Sequence, residues 1–421
     1  MTLPPFATGR RAPASRRRAR LRPVVACAAL AGCLAGPVAV AGNASASATE
    51  SAPDPLSRVF AADSFWYREL PAHTPTDPRS AEMVAHIVAQ AEDHYGSPGN
   101  PNVNVNLTHY TPPIYVAHAG DPAITFTWEN CQHKVEGDHG LIEHHLTDVR
   151  LPAGAVPAEG SDSEMVVYDE TADRLVETWV TTKEEDGSWR ACWGGSIEEV
   201  SRSDGIFEAP FGVTASGLPL LGGTIRAAEL ERGRIDHVVG IALPFAAEKP
   251  TLSWPATRSD GRNPSGRPAP AQGQMLRLPA DLDLDALALS PVARTIAEAA
   301  QTYGLVVWDT SGAVSFRAQN PLGMADHPYR EVFRGRGANA EMAGDRSRGE
   351  VPFPLEQLQV LPMDYAVPTP EPTASRAPVT AAPRGDDDAA GGVWVVVAAA
   401  VGGAAALLGA VSVVRRRAER R

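Results

Sequence analysis

The stretch EMVVYDETADRLVETWVTTKEEDGSWRACWGG, residues 164–195, decides the fold class of this chain. Runs rich in Val, Thr, Tyr and Trp alternate in it with the polar turns DETAD and EEDGS. β-Branched and aromatic runs bounded by turn residues are typical of short strands that follow one another as an antiparallel meander. The stretch therefore predicts a body built mainly of β-sheet.

The same strand signals continue on both sides of this stretch. ITFTWE at residues 124–129 alternates with period two, and further short runs are RIDHVVGIAL, QMLRLP, GLVVWD and AVSFRAQ. Many short strands separated by turn residues favour a sandwich or barrel over a helical fold. We therefore expect a mainly β fold, an antiparallel β-sandwich of jelly-roll type, over residues 149–362.

Two helices are expected beside the strands. Residues 78–95 carry an apolar stripe at helical spacing, with Asp77 as the predicted N-cap. Residues 291–303 repeat this pattern and are capped by Ser290. The first of these helices belongs to a small α-containing N-terminal portion, residues 49–148.

Residues 1–48 have the features of a secretory signal peptide. They contain seven Arg and no acid, then an apolar run over residues 24–41, then the small-residue sequence NASASA that ends at Ala48. This order predicts export and cleavage near Ala48. Two alternatives remain open: SRRRAR resembles part of a twin-arginine signal, and residues 30–33 spell a lipobox in which Cys33 is the acylated residue.

The C-terminal end predicts a membrane anchor. Residues 393–414 carry no charge and span about 33 Å as a helix, enough for the hydrocarbon core of a bilayer. The basic tail RRRAERR, residues 415–421, indicates a cytoplasmic C-terminus and an extracellular bulk; a buried core helix is the alternative. The Pro-rich residues 363–392 read as a stalk between the folded part and the anchor.

Charge restricts the partners of the exported part. The whole chain has 38 basic and 50 acidic residues. Without the seven Arg of residues 1–48, and without the five Arg and one Glu of residues 415–421, 26 basic and 49 acidic residues remain. Such an exterior disfavours nucleic acid and polyanions. We expect a membrane and a neutral extracellular or wall glycan as partners, with no nucleic acid and no cofactor.

Two cysteines, Cys131 and Cys192, remain once the signal peptide is removed. In an oxidising exterior they most simply form one disulfide, which closes a loop of about 60 residues and stabilises the fold by about 4 kcal/mol. Two inert buried thiols are the alternative.

Several longer segments carry a resemblance to a known family. They are VRLPAGAVPAEGSDSEMVVYDE, WGG at residues 193–195, TASGLPLLGGTIRAAELERGRIDHVVGIALP, WPATRSDG, RLPADLDLDAL and TYGLVVWDTSG. Over residues 149–361, the part of the chain that contains these segments, it resembles a family of exported, mostly uncharacterised proteins of high-GC Gram-positive bacteria. The resemblance implies a shared fold and an exported state, and it implies no particular reaction.

His237 lies in RIDHVVGIALP among residues that favour the interior. On a strand that starts at Ile235, it shares a face with Val239 and Ile241. Such a histidine is either hydrogen-bonded inside the core or exposed in a cleft. In the second case it is a candidate for proton transfer.

The candidate catalytic residues are His237, Asp260, Asp309 and Tyr303. A histidine, carboxylates and a phenol together are groups that move protons around a sugar ring. Asp260 in SDG and Asp309 in WDTSG also fit ordinary turns, since Asp accepts hydrogen bonds from the amides that follow it. VVWDTSG resembles the Asp-Thr-Gly turn of aspartic proteases as well, but Ser311 replaces the glycine and no second copy occurs.

Trp193 and Trp254 are the candidate substrate-binding residues, because flat aromatic faces stack against sugars; a core role is the alternative. The segment CQHKVEGDHGLIEHH, residues 131–145, gathers four histidines, but their spacing fits no standard zinc pattern. We therefore predict no metal site and interpret this segment as a solvated, pH-sensitive loop.

Two functions agree with these residues. One is a surface enzyme, hydrolase or lyase, that acts on a neutral glycan. The other is a non-catalytic surface binding or adhesion module. An enzyme that uses His237 requires this side chain beside a carboxylate at the floor of an open groove, whereas a sealed His237 favours the binding module.

Overall fold

The computed structural model describes residues 54–133, 137–324 and 326–365, and fifteen strands and six α-helices lie within them. The strands are β1 Asn104–Asn106, β2 Ile114–Ala117, β3 Ala123–Ile124, β4 Phe126–Trp128, β5 Val149–Arg150, β6 Met165–Asp169, β7 Arg174–Trp179, β8 Thr182–Lys183, β9 Trp189–Ala191, β10 Trp193–Ile197, β11 Val239–Leu243, β12 Met275–Arg277, β13 Leu305–Thr310, β14 Ser315–Arg317 and β15 Gln359–Val360. The helices are α1 Ser80–Asp93, α2 Leu220–Gly223, α3 Ala227–Arg232, α4 Pro291–Thr302, α5 Tyr329–Val332 and α6 Ala338–Ala343.

Two sheets contain most of these strands. The six-stranded sheet has the order β1-β14-β11-β13-β12-β15, and the four-stranded sheet has the order β10-β7-β6-β2. Strands β6, β7 and β10 pair antiparallel, which confirms the antiparallel pairing predicted from residues 164–195, but the predicted run WRACWGG is divided at Cys192 between β9 and β10, which lie in different sheets. Strands β3 and β5 form a small separate sheet, and β4, β9 and β8 form another.

The sheets contain both parallel and antiparallel ladders. The strands therefore do not form the purely antiparallel jelly-roll sandwich expected from the sequence. Four ladders are parallel: β1 with β14, β2 with β6, β4 with β9, and β11 with β13. Parallel neighbours need a long crossover connection, and hydrophobic alternation does not reveal which distant strand a segment will pair with.

Helices α1 and α4 pack against one face of the six-stranded sheet. Ile87 of α1 and Ile296 of α4 share a buried cluster with Ile241 of β11. The predicted α4 is confirmed, and the Ser290 hydroxyl accepts the Ala293 N–H as its N-cap. Helix α1 starts later than expected, because the Asp77 carboxylate accepts the N–H of Arg79, which precedes the helix.

The described residues from Arg58 onward belong to one compact unit. Strands from residues 54–148 pair with strands from residues 149–362, so these two parts of the chain share sheets. Within the described ranges no helix is both long enough and apolar enough to cross a bilayer. The predicted signal peptide, most of the stalk, the anchor at residues 393–414 and the basic tail lie outside the described residues.

Candidate functional site

A pocket of about 510 Å³ is lined by residues from both large sheets and from the loops beside them. Its chemistry is set by four carboxyl groups, two guanidinium groups and two indoles: Asp162, Glu164, Asp260, Asp309, Arg258, Arg317, Trp179 and Trp193. Three residues that the sequence singled out, Asp260, Asp309 and Trp193, therefore meet in one place.

A β-bulge in β13 aims Asp309 into this pocket. Two successive residues of β11 pair with Val307 and Asp309, so Trp308 is the extra residue. In a regular strand Asp309 and Val307 share a face, which here is the face that packs on α1 and α4. The bulge turns Asp309 to the opposite face, where Nη2 of Arg317 on β14 donates to Asp309 Oδ2 at 2.7 Å.

Arg317 is the buried cation of the pocket. Burial by itself lowers the pKa of its guanidinium, but the neighbouring Asp309 and Glu164 carboxyl groups raise it above its ordinary value. For Asp309, burial raises the pKa and the charge of Arg317 counteracts only part of this effect. The Arg317 guanidinium also lies 5.5 Å from the centroid of the Trp308 ring, where a cation–π contact forms.

Arg258 is held by the backbone of a neighbouring loop. Its guanidinium donates to the carbonyl oxygens of Pro210, of Gly212 at 2.6 Å and of Thr214 at 2.7 Å. Burial lowers the pKa of Arg258 to about 10, so the group stays charged at neutral pH. Both guanidinium groups of the pocket thus have partners within the protein.

Asp260 lies at the exposed rim of the pocket. Its carboxylate accepts Nε2–H of Gln272 at 2.9 Å and the Thr310 hydroxyl at 3.0 Å. The backbone N–H of Thr310 donates to Asp309 Oδ1 at 2.9 Å. Thr310 therefore connects the exposed carboxylate of Asp260 to the buried one of Asp309.

The two indoles come from paired strands of the four-stranded sheet. Trp193 of β10 is directly opposite Trp179 of β7, and the Phe211 ring stacks on Trp193 with a centroid distance of 5.9 Å. The predicted disulfide is confirmed: Cys131 is bonded to Cys192, the residue between β9 and β10. Since both chain neighbours of Cys131 line the pocket, the disulfide ties this part of the wall to the sheet.

Glu164 directly precedes β6 and is 1% exposed. Among the residues that the structure describes, neither of its carboxyl oxygens has a hydrogen-bond partner. Burial raises the pKa of Glu164 to about 7, although the charge of Arg317 acts in the opposite direction. A carboxyl group with such a pKa is partly protonated near neutral pH, a property typical of catalytic acids.

A second buried carboxyl group, Glu177, lies on β7 and does not line the pocket. Its oxygens accept the backbone N–H groups of Leu220 at 2.9 Å and Leu221 at 3.0 Å, at the start of α2. Burial raises the pKa of Glu177 to about 8 despite these bonds. Its oxygens are occupied by the backbone, which indicates a structural role.

His237 is fully buried and does not line the pocket. Strand β11 begins at Val239 rather than at Ile235, so His237 lies in the irregular segment before the strand. Its Nδ1 is 2.7 Å from the Val238 carbonyl oxygen, and its Nε2 is 3.1 Å from Oε2 of Glu229. The imidazole has a carboxylate partner but no open groove, and the requirement for an enzyme that uses His237 is not met.

Tyr303 and Trp254 also lie outside the pocket lining. Tyr303 ends α4, where burial and then the nearby Asp236 carboxylate raise the pKa of its hydroxyl, which is hydrogen-bonded to Arg234. The Trp254 indole packs edge-on against Phe65, with 5.5 Å between ring centroids. Neither side chain therefore joins Asp260 and Asp309.

Part of the histidine-rich segment forms a π-helical turn, Leu141–His145. His144 lies beside Glu143, and Nδ1 of His145 accepts the Ser196 N–H at 3.1 Å. Within the described ranges, which leave out residues 134–136, no group of three or more His, Cys, Asp or Glu is placed to hold a metal ion.

The sequence reasoning missed Glu164 and Arg317. Each had a signal: Glu164 opens the apolar strand EMVVYDE, and Arg317 interrupts the apolar run AVSFRAQ. A charged residue inside a strand that otherwise suits the interior needs an opposite charge or loses its own. Arg317 is paired with Asp309, and burial raises the pKa of Glu164 to about 7.

No family model matches this chain, and searches of curated proteins and of solved structures gave no match either.

Proposed function

We propose that this chain is an exported cell-surface protein, anchored in the membrane by residues 393–414, that hydrolyses a neutral extracellular or wall glycan. The observation that carries the proposal is the meeting of Asp260, Asp309 and Trp193 in one pocket whose two guanidinium groups already have protein partners.

The charges of the pocket favour a neutral ligand. Carboxylates accept hydrogen bonds from sugar hydroxyl groups, and indole faces stack on sugar rings. Arg317 is bonded to Asp309, and Arg258 is bonded to backbone carbonyl oxygens. Both guanidinium groups donate within the protein and are outnumbered by the four carboxyl groups of the pocket, so the pocket disfavours an anionic polymer, as does the overall negative charge of the chain.

The pair of carboxyl groups favours hydrolysis. Most glycoside hydrolases use two such groups, and differing environments separate the acid from the base. Here Asp260 is exposed, whereas Asp309 is bonded to Arg317 and has a pKa raised by burial. The sequence features at the two ends of the chain support a location outside the cell, with the C-terminus in the cytoplasm. The family resemblance of residues 149–361 supports the same location.

A non-catalytic binding or adhesion module is the second candidate function. The sealed position of His237 favours it, because the histidine-based mechanism required an open groove. Both candidates use the same pocket and the same class of ligand. They differ in whether the bound glycan is cut.

The test exposes the full-length protein in detergent to a panel of neutral wall and extracellular polysaccharides, and it measures both retention and product release. Retention with products supports hydrolysis, and retention without products supports the binding module. If no neutral glycan is retained or cut, both candidates fail.

Replacing Trp193 by Leu is expected to weaken retention roughly tenfold, since a lost aromatic face costs about 1 to 1.5 kcal/mol. Trp254→Leu is the matched control, because this indole lies outside the pocket lining, and it should leave retention unchanged. Equal effects of the two substitutions would argue against the pocket as the binding site.

A further inference from the structure

A buried glutamate faces the same pocket as the two aspartates. We infer that Glu164 is the general acid of this site, the side chain that donates a proton to the glycosidic oxygen of the bound glycan. This inference rests on the proposed function and assigns one role within it.

The position of Glu164 places it beside the sugar-binding indoles. Glu164 directly precedes Met165, which pairs with Thr178 on β7. The next residue of β7 is Trp179, which pairs with Trp193. All three pocket side chains therefore lie at the same end of the four-stranded sheet, and a sugar ring stacked on an indole there lies close to the carboxyl group.

The surroundings of Glu164 differ from those of Asp309 in the number of hydrogen-bond donors. Asp309 accepts three N–H groups, from Arg317 at 2.7 Å, Thr310 at 2.9 Å and Ala215 at 3.2 Å. Such donors favour the charged form of a carboxyl group and oppose the burial that raises the pKa of Asp309. Glu164 accepts none from the described residues, and its pKa of about 7 leaves a large protonated fraction at neutral pH.

The proton of Glu164 moves to the glycosidic oxygen while the bond between this oxygen and the anomeric carbon breaks, and the leaving sugar departs as an alcohol. A water oxygen bonds to the anomeric carbon, and the proton that the water loses goes to Asp260 at the exposed rim. Glu164 regains a proton from solvent and Asp260 releases one, so the net change is hydrolysis.

The test compares the full-length protein with Glu164→Gln, which keeps the shape of the protonated carboxyl group and should keep the fold. On a natural glycan the substitution should lower kcat on the order of 100-fold or more, with KM little changed. On a dinitrophenyl glycoside of the same sugar it should lower kcat only slightly, because this leaving group needs no proton. The wild-type rate on the natural glycan should fall as the pH rises through about 7, as Glu164 loses its proton.

Glu231→Gln, at an exposed position of α3, is the matched control and should keep the wild-type rate. If the wild type cuts the glycan but Glu164→Gln stays within about threefold of it, or loses the same factor on both substrates, the general-acid role is overturned and hydrolysis stands. If the wild type cuts no neutral glycan, the proposed hydrolysis is overturned and the general-acid role with it.

Discussion

Glu229 and Glu164 are both buried glutamates, yet their pKa values move in opposite directions. Burial by itself raises the pKa of Glu229, but the charges of His237 and Arg226 and their hydrogen bonds outweigh burial and lower it to about 2. The Arg226 N–H donates to Glu229 at 2.9 Å, and the Arg226 guanidinium is ion-paired with it. Its hydrogen-bond and ionic partners make Glu229 a structural carboxylate. Glu164 has no hydrogen-bond partner among the described residues and is therefore suited to proton transfer.

Replacing Glu229 by Gln should lower the free energy of unfolding near neutral pH by about 3 kcal/mol, because it leaves the buried Arg226 guanidinium without its counter-charge and His237 without its carboxylate partner. The depressed pKa of Glu229 gives stability that is present above its ordinary pKa and is lost as the pH falls towards about 2. The gap between wild type and Glu229→Gln should therefore narrow by about 2 kcal/mol between about pH 7 and about pH 3.

Urea unfolding at the two pH values measures this gap, with Glu231→Gln as an exposed control. A gap that stays the same at both pH values would show that the ion pairs of Glu229 are not its source.

At the scale of elements, the Trp308 indole of β13 packs against β11 and α2. A side chain on Gly240 of β11 would overlap the Trp308 indole, and a Cβ atom on Gly223 of α2 would lie 2.6 Å from it. These two glycines therefore make room for Trp308. Because Trp308 is the extra residue of the bulge, its packing also fixes the direction of Asp309.

Gly240→Ala should reduce the free energy of unfolding by about 1 to 3 kcal/mol, since the added methyl group overpacks a filled interior. Gly154→Ala is the control, because a Cβ atom there meets no atom within 4 Å. Urea unfolding of both variants measures the difference. A Gly240→Ala variant as stable as Gly154→Ala would mean that Trp308 can move away without cost.

At the scale of the whole molecule, the pocket requires two sheets and a covalent link. The six-stranded sheet supplies Asp309 and Arg317, while Trp179 and Trp193 come from the four-stranded sheet. The disulfide joins positions that are 61 residues apart and fixes a segment of the pocket wall. A site assembled from such distant parts depends on the complete fold.

Replacing both Cys131 and Cys192 by Ser should lower the free energy of unfolding by about 4 kcal/mol, because the unfolded chain regains the entropy of an open loop. Urea unfolding measures the change, and chemical reduction of the wild type should give a loss of the same size. A loss below about 1 kcal/mol in both would show that the link contributes little to stability.

Local patterns in the sequence determined the elements of this fold. Runs of β-branched and aromatic residues bounded by turn residues predicted β6, β7 and β13, and a serine before an apolar helical stripe predicted α4 with Ser290 as its cap. The count of cysteines predicted the disulfide. The strands and helices depend on residues close together in the chain, and the disulfide prediction depends on only two cysteines being left to pair. The sequence alone is therefore enough to predict these features.

Tertiary structure alone decided the pairing of the sheets and the content of the pocket. The parallel ladders, the bulge at Trp308, the burial of His237 against Glu229 and the bond between Arg317 and Asp309 all join residues that no local pattern relates. The raised pKa of Glu164 comes from its burial, which only the folded chain produces. Burial and charge act through space, and folding sets the distances through which they act.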